Sequence, residues 1–201
     1  MKRKSIITSI ASYKLSKEEE SLISEKKPWG IILFKRNIQN INQLKNLTSR
    51  IRFLMKDPHY PIMVDQEGGR VSRLSNIIDT SEFSQNFFGR SFEKNNLDGV
   101  NSYNEYLYFI CQMLKESGIN INTIPVLDVL RKNTHKIISD RSYSKNTKTI
   151  NILKKICFLA LNKFKIGSVT KHIPGHGCSN VDTHKKLAIV NDSLTSLIKK
   201  D

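Results

Sequence analysis

The chain has 201 residues, 38% of them hydrophobic, and sets 33 lysines and arginines against 18 acids for a formal charge of +15. That is apolar sequence enough for one sizeable core and too little for two comfortable ones. No apolar run approaches the ~20 residues of a membrane-spanning helix, and the three cysteines, Cys111, Cys157 and Cys178, are odd in number with no C-x-x-C pair, which argues against a disulfide framework.

The positive charge raises the question of an anionic partner. Aromatic-basic interleaving, a basic helix with heptads and zinc-finger spacing are all absent from the sequence, so no nucleic acid is implied. Met1 to Lys4 carries the charge of a secretory leader, but the apolar stretch Ile6 to Ala11 is interrupted by Thr8 and Ser9 and is too short for one. The expectation is a soluble cytoplasmic protein with no membrane partner.

Along the chain, Ser5 to Ile10 reads as a strand. Ser16 with Glu19 three positions later forms a capping-box pattern that starts a helix. Pro28 ends that helix, and Trp29 to Phe34 is the continuous apolar run of a strand buried on both faces. Ile41, Leu44, Leu47, Ile51 and Leu54 recur at helical spacing between Asn40 and Met55. Pro61 to Val64 reads as a third strand ending in Asp65-Gln-Glu-Gly-Gly-Arg70. A less regular segment holds Phe83, Phe87 and Phe88, and a helix from about Asn101 to Glu116 is closed by Gly118. Ile119 to Leu127 is a fourth strand ending in Asp128. After the polar loop Arg131 to Ser142 come a helix over Thr147 to Phe164, a fifth strand over Gly167 to Thr170, and the start of another helix at Ser193 to Lys200.

Alternating strands and helices indicate an α/β protein with a parallel sheet, either a doubly wound open sheet or a (β/α)₈ TIM barrel. Polar residues follow many different strand ends, at Arg36-Asn37, Asp65, Asp128 and Lys171-His172. A barrel gathers all such ends around one site, whereas an open sheet uses one switch point. The barrel is therefore favoured, as one domain over residues 1–201 with about five of eight βα units, truncated at its C-terminal side, since a whole barrel takes about 250 residues.

The loop Lys171-His-Ile-Pro-Gly-His-Gly-Cys-Ser-Asn-Val-Asp-Thr-His184 concentrates the chemistry. His172, His176, Asp182 and His184 are residue types that ligate zinc, although Pro174, Gly175 and Gly177 disfavour a helical zincin arrangement. His172 and His176 also read as packing histidines bonded to nearby backbone. Asp182 two positions before His184 can bond one ring nitrogen and fix the tautomer, leaving the other to move protons. Cys178 beside them is a possible thiolate nucleophile with no further support. In the second constellation, Asp65 suits a polyol, because a carboxylate accepts hydrogen bonds from adjacent hydroxyls. Glu67 reads as a loop ion pair with Arg70 or Arg73. The glycines form neither a G-x-G-x-x-G nor a P-loop, so no nucleotide cofactor is implied.

Trp29-Gly-Ile-Ile-Leu-Phe-Lys-Arg-Asn37, Val64-Asp-Gln-Glu-Gly-Gly-Arg-Val71, Pro125-Val-Leu-Asp128, Ser139-Asp-Arg-Ser142 and Lys171-His-Ile-Pro-Gly-His-Gly177 with Asp182-Thr-His184 resemble, in this order, the N-terminal barrel of glycoside hydrolase family 3. Within the family they are most similar to the bacterial β-N-acetylglucosaminidases (β-hexosaminidases) of cytoplasmic peptidoglycan recycling. The resemblance implies a retaining glycosidase that removes terminal, non-reducing β-linked N-acetylglucosamine from muropeptides without metal or cofactor. It puts the acid/base on His184 with Asp182, and sugar contacts on Asp65, Arg141, Lys171 and His172.

The resemblance also implies an aspartate nucleophile in a later S-D-D-L-like segment, which these 201 residues do not contain. Retaining catalysis needs that second carboxylate. The sequence is thus expected to be a truncated hydrolase, one part of a split enzyme completed by another chain, or a non-catalytic sugar binder. A metal-dependent hydrolase using the histidine loop is the alternative from a different class.

Overall fold

The structure, a computed structural model, describes residues 3–190 and 192–200. Met1, Lys2, Asn191 and Asp201 lie outside the described residues. Strand β1 (Lys4–Thr8) leads to helix α1 (Lys17–Lys26), whose Ser16 and Glu19 complete the expected reciprocal cap. Next come β2 (Pro28–Leu33), α2 (Ile41–Met55), β3 (Ile62–Val64), α3 (Gln85–Lys94), α4 (Asn96–Glu116), β4 (Ile121–Asn122), α5 (Thr147–Lys163), β5 (Gly167–Ser168) and α6 (Leu194–Lys200).

All four strand pairings are parallel, and the sheet order is β1-β2-β3-β4-β5. A doubly wound sheet reverses direction at a switch point; this one never does, so its five strands are an arc of a (β/α)₈ barrel. Leu33 pairs with Val64, Val64 with Asn122 and Asn122 with Ser168, which brings the carboxyl ends of four strands level. A further parallel bridge joins Val126 to Lys171 and carries the β4 to β5 pairing on into the loops.

The core lies between sheet and helices. Ile31, Leu33, Ile62 and Val64 of the sheet are buried in one cluster with Leu44, Leu47 and Ile51 of α2, Tyr103, Leu107 and Leu114 of α4, and Leu153 and Leu161 of α5. Each such aliphatic side chain stabilises the fold by about 1.5–3 kcal/mol relative to exposure. Burial on both faces holds for β3, but in β2 Trp29 is exposed. The terminal strands differ: Ile6 and Ile7 of β1, Gly167 and Ser168 of β5, and Leu159 of α5 are all exposed. No helix among the described residues is long and apolar enough to cross a membrane.

Two elements depart from the sequence reading. The irregular phenylalanine segment contains a helix, α3, capped by Ser84, whose side chain accepts from the Phe87 N–H. It ends at Asn95, which then caps α4, so α4 begins five residues before the expected Asn101. The fourth strand is only Ile121–Asn122, with Val126 joined to Lys171 by an isolated parallel bridge beyond it.

Candidate active site

The site is built on the loops that follow β3, β4 and β5. Asn122 at the end of β4 fixes the β3 loop: its side-chain oxygen accepts from the Gln66 N–H and its amide donates to the Gln66 carbonyl, both at 3.0 Å. Gln66 then accepts from the Arg73 and Leu74 N–H groups at 2.9 and 3.0 Å and closes the loop on itself. Gly68 sits at φ +92°, and a Cβ there would stand 2.2 Å from the Phe83 carbonyl oxygen. Only glycine fits that turn. From α3, Gln85 reaches across to accept from Val126 N–H and to donate to the Val126 and Arg141 carbonyls at 3.0 and 2.9 Å. It thereby ties the β4 extension to the loop carrying Arg141.

These supports bring four of the predicted residues together. The Lys171 ammonium donates to Asp65 Oδ1 and Thr123 Oγ1, each at 2.9 Å, and lies 2.6 Å from Glu67 Oε1. Thr123 also donates to Asp65. Arg141 makes a two-pronged pair with Glu67, Nε to Oε2 at 2.8 Å and Nη2 to Oε1 at 2.9 Å. The same Nη2 lies 3.3 Å from His172 Nε2, and the His172 Nδ1 is 2.6 Å from Asp128 Oδ2. The Lys171–His172 peptide bond is cis.

Burial pushes the Asp65 carboxyl up, but the Lys171 ammonium, the Thr123 hydroxyl and Arg73 more than offset it and hold the group below the ordinary aspartate range. For Arg141, burial disfavours the cation, and the Glu67 carboxylate, helped by Asp128 and Asp65, overrides this and raises its pKa. Three carboxylates (Asp65, Glu67, Asp128) thus face three permanent cations (Arg73, Arg141, Lys171).

Sequence reasoning missed Glu67 and Asp128 as site residues. Glu67 does not pair with Arg70 or Arg73: Arg70 binds Asp140, Arg73 lies against Asp65, and Glu67 is buried under Arg141 and Lys171. The partner 74 positions away leaves no trace in local spacing. Asp128 is fully buried, one oxygen on His172 and the other on the His176 N–H at 2.6 Å. Its position at a strand end was the available signal.

The expected dyad forms. His184 Nδ1 lies 2.8 Å from Asp182 Oδ1, which also accepts from the His184 N–H at 2.9 Å. That N–H, then the ring, draw the Asp182 pKa below its ordinary value. The His184 ring is 78% exposed, and among the described residues no hydrogen bond or ion pair joins the dyad to Asp65, Arg141, Lys171 or His172. The link is indirect: the buried His176 ring places Nε2 3.2 Å from Thr183 Oγ1, between the two dyad residues. His176 is thus bonded to a hydroxyl, where backbone partners were expected. Behind it Gly177 packs so tightly that a Cβ would stand 2.2 Å from the Val129 carbonyl oxygen.

The alternative metal set is dispersed among Asp128, Thr183 and the dyad itself, and no group of three His, Cys, Asp or Glu among the described residues is arranged to hold a metal ion. A concavity of about 850 Å³ lies at the other end of the sheet, between Lys27, Arg52, Phe53, Lys56 and Asp57. In barrels that face serves stability, while chemistry sits at the carboxyl ends of the strands.

An arc of parallel barrel with a lysine, histidine, arginine and aspartate converging at its strand ends matches a known class: residues 3–201 match the glycosyl hydrolase family 3 N-terminal domain, and the chain belongs to that family. It is 32% identical over 197 residues to a β-hexosaminidase of Neisseria meningitidis, covering 98% of this chain and 54% of that protein. A β-hexosaminidase of Aromatoleum aromaticum is 29% identical, with 92% of this chain and 51% of the relative covered. The crystal structure of NagZ from Neisseria gonorrhoeae in complex with N-trifluoroacetyl-D-glucosamine superposes with a TM-score of 0.87 at 31% identity, over 98% of this chain and 57% of that one. The chain therefore spans about half the length of the curated relatives it matches.

Proposed function

We propose that this chain is a single barrel domain carrying the sugar-binding and proton-transfer side of a β-N-acetylhexosaminidase that hydrolyses terminal, non-reducing β-linked N-acetylglucosamine. The natural substrate in this reading is a muropeptide, released in a reducing, cytoplasmic compartment where the buried Cys111 and Cys157 persist as thiols. The observation that carries the proposal is the convergence of Asp65, Lys171, Arg141 and His172 within a charge-balanced cluster completed by Glu67, Asp128 and Arg73. It offers a carboxylate acceptor and three nitrogen groups to a ligand with vicinal hydroxyls, without a net charge that would select an anion.

In this reading Asp65 accepts from two sugar hydroxyls while Lys171, Arg141 and His172 bond the remaining oxygens. His184, its tautomer fixed by Asp182, protonates the leaving glycosidic oxygen and later takes a proton from water. Retention of configuration requires a second carboxylate as nucleophile. Asp65, Glu67 and Asp128 are each bound to Lys171, Arg141 or His172, so none is free for that role. In this reading the nucleophile belongs to a segment corresponding to the part of the relatives' length that this chain does not span.

Release of 4-nitrophenol from its β-N-acetylglucosaminide tests the reading. The expected result is turnover only when the chain is joined to such a segment, abolished by His184→Ala. Turnover that depends on added zinc and is lost to a chelator would replace it with the metal class. Binding of N-acetylglucosamine with no cleavage in any context would leave a sugar-binding protein, which the exposure of the dyad favours as the second reading.

A further inference from the structure

Glu67 is a group of the cluster for which binding and proton transfer have no use. Its side chain is 1% exposed, so it cannot be a ligand contact in this arrangement. Both oxygens are nonetheless occupied: Oε2 by Arg141 Nε, and Oε1 by Arg141 Nη2 and by Lys171, from two different loops. A two-pronged carboxylate pair fixes the plane of a guanidinium as well as its distance. The Arg141 plane so fixed is what brings Nη2 to His172. Removing this carboxylate would leave Arg141 without its ion-pair partner and Lys171 with Asp65 alone, and the three-against-three balance broken in favour of positive charge.

We propose that Glu67 is the positioning residue of the site: it sets Arg141 and Lys171 in one geometry and cancels their charge, so that the site takes a neutral sugar and refuses small anions. This rests on the sugar-binding reading above and adds the residue that determines its selectivity.

The test compares the whole chain with Glu67→Gln, which keeps the volume and one acceptor oxygen, and Glu67→Asp, which keeps the charge but loses reach. Each is titrated with N-acetylglucosamine and with inorganic sulfate, and the Arg141 Nε–H resonance is followed by NMR. The native chain is expected to bind the sugar and not sulfate. Glu67→Gln should bind the sugar on the order of tenfold more weakly or worse, shift or lose the Arg141 resonance, and bind sulfate at Arg141 and Lys171. Glu67→Asp should weaken the sugar and move the resonance without admitting sulfate, and it carries the test alone if Glu67→Gln does not fold. Native-like sugar affinity in Glu67→Gln overturns the proposal. So does weaker sugar binding with the Arg141 resonance unmoved and sulfate still refused, the pattern of general destabilisation. If the native chain binds no sugar, the functional reading fails, and the sulfate and Arg141 results still decide the role of Glu67.

Discussion

Arg141 Nη2 lies 3.3 Å from His172 Nε2, and a guanidinium nitrogen can only donate, so His172 Nε2 must be the acceptor. The proton of the ring then sits on Nδ1 and is donated to Asp128 at 2.6 Å. Arg141 and Asp128 together thereby select one tautomer of the ring. Nitrogen NMR of the ring should show an unprotonated Nε2 and a protonated Nδ1, and Asp128→Asn, whose amide donor at Nδ1 competes with the Arg141 donor at Nε2, should erode that preference.

Asp65 gives a pH prediction with a definite sign. Its folded-state pKa is lower than its unfolded one, so its contribution to stability is fully present above about pH 4 and is lost as pH falls through the lower folded value. The stability gap between the native chain and Asp65→Asn should be widest near neutrality and close in acid. A gap that stays constant in denaturation curves across that range would show that Asp65 is not stabilised as an anion by Lys171.

The contact between His176 and Thr183 anchors the dyad loop to the Asp128 network. Thr183→Val should cost about 1 kcal/mol or less of global stability. It should speed hydrogen exchange over Val181 to Lys186 and leave N-acetylglucosamine affinity unchanged. Unaltered exchange would mean the loop is held by something else.

Where local chemistry decides structure, the sequence was sufficient. Ser16 and Glu19 announced the start of α1, and the reciprocal cap is present; Ser16→Ala should lower stability by about 1 kcal/mol in urea unfolding. The apolar spacing of α2 and the order of five βα units were equally readable, because each depends on periodicity within one element. Helix α3 escaped because its own Phe87 and Phe88 crowd with Phe83 just before it; the Ser84 cap and the Phe88 to Phe92 spacing of four were the usable signs.

The site divides along the same line. Asp65, Lys171 and His172 were visible as polar residues immediately after apolar runs, and the Asp182 to His184 pair from its spacing of two. Arg141 came only from the family motif. Glu67 was misassigned because its partners, Arg141 and Lys171, lie on loops that only the closing sheet brings over it. The carboxylate pairings that balance the site are tertiary, and no local pattern encodes them.

A binding site for N-acetylglucosamine at the ends of β3, β4 and β5 is read out residue by residue in NMR during titration of the chain with that sugar. Shifts should concentrate at Asp65, Arg141, Lys171 and His172 and be abolished by Lys171→Met. Shifts confined to the opposite concavity around Arg52 and Lys56, or none at all, would contradict it.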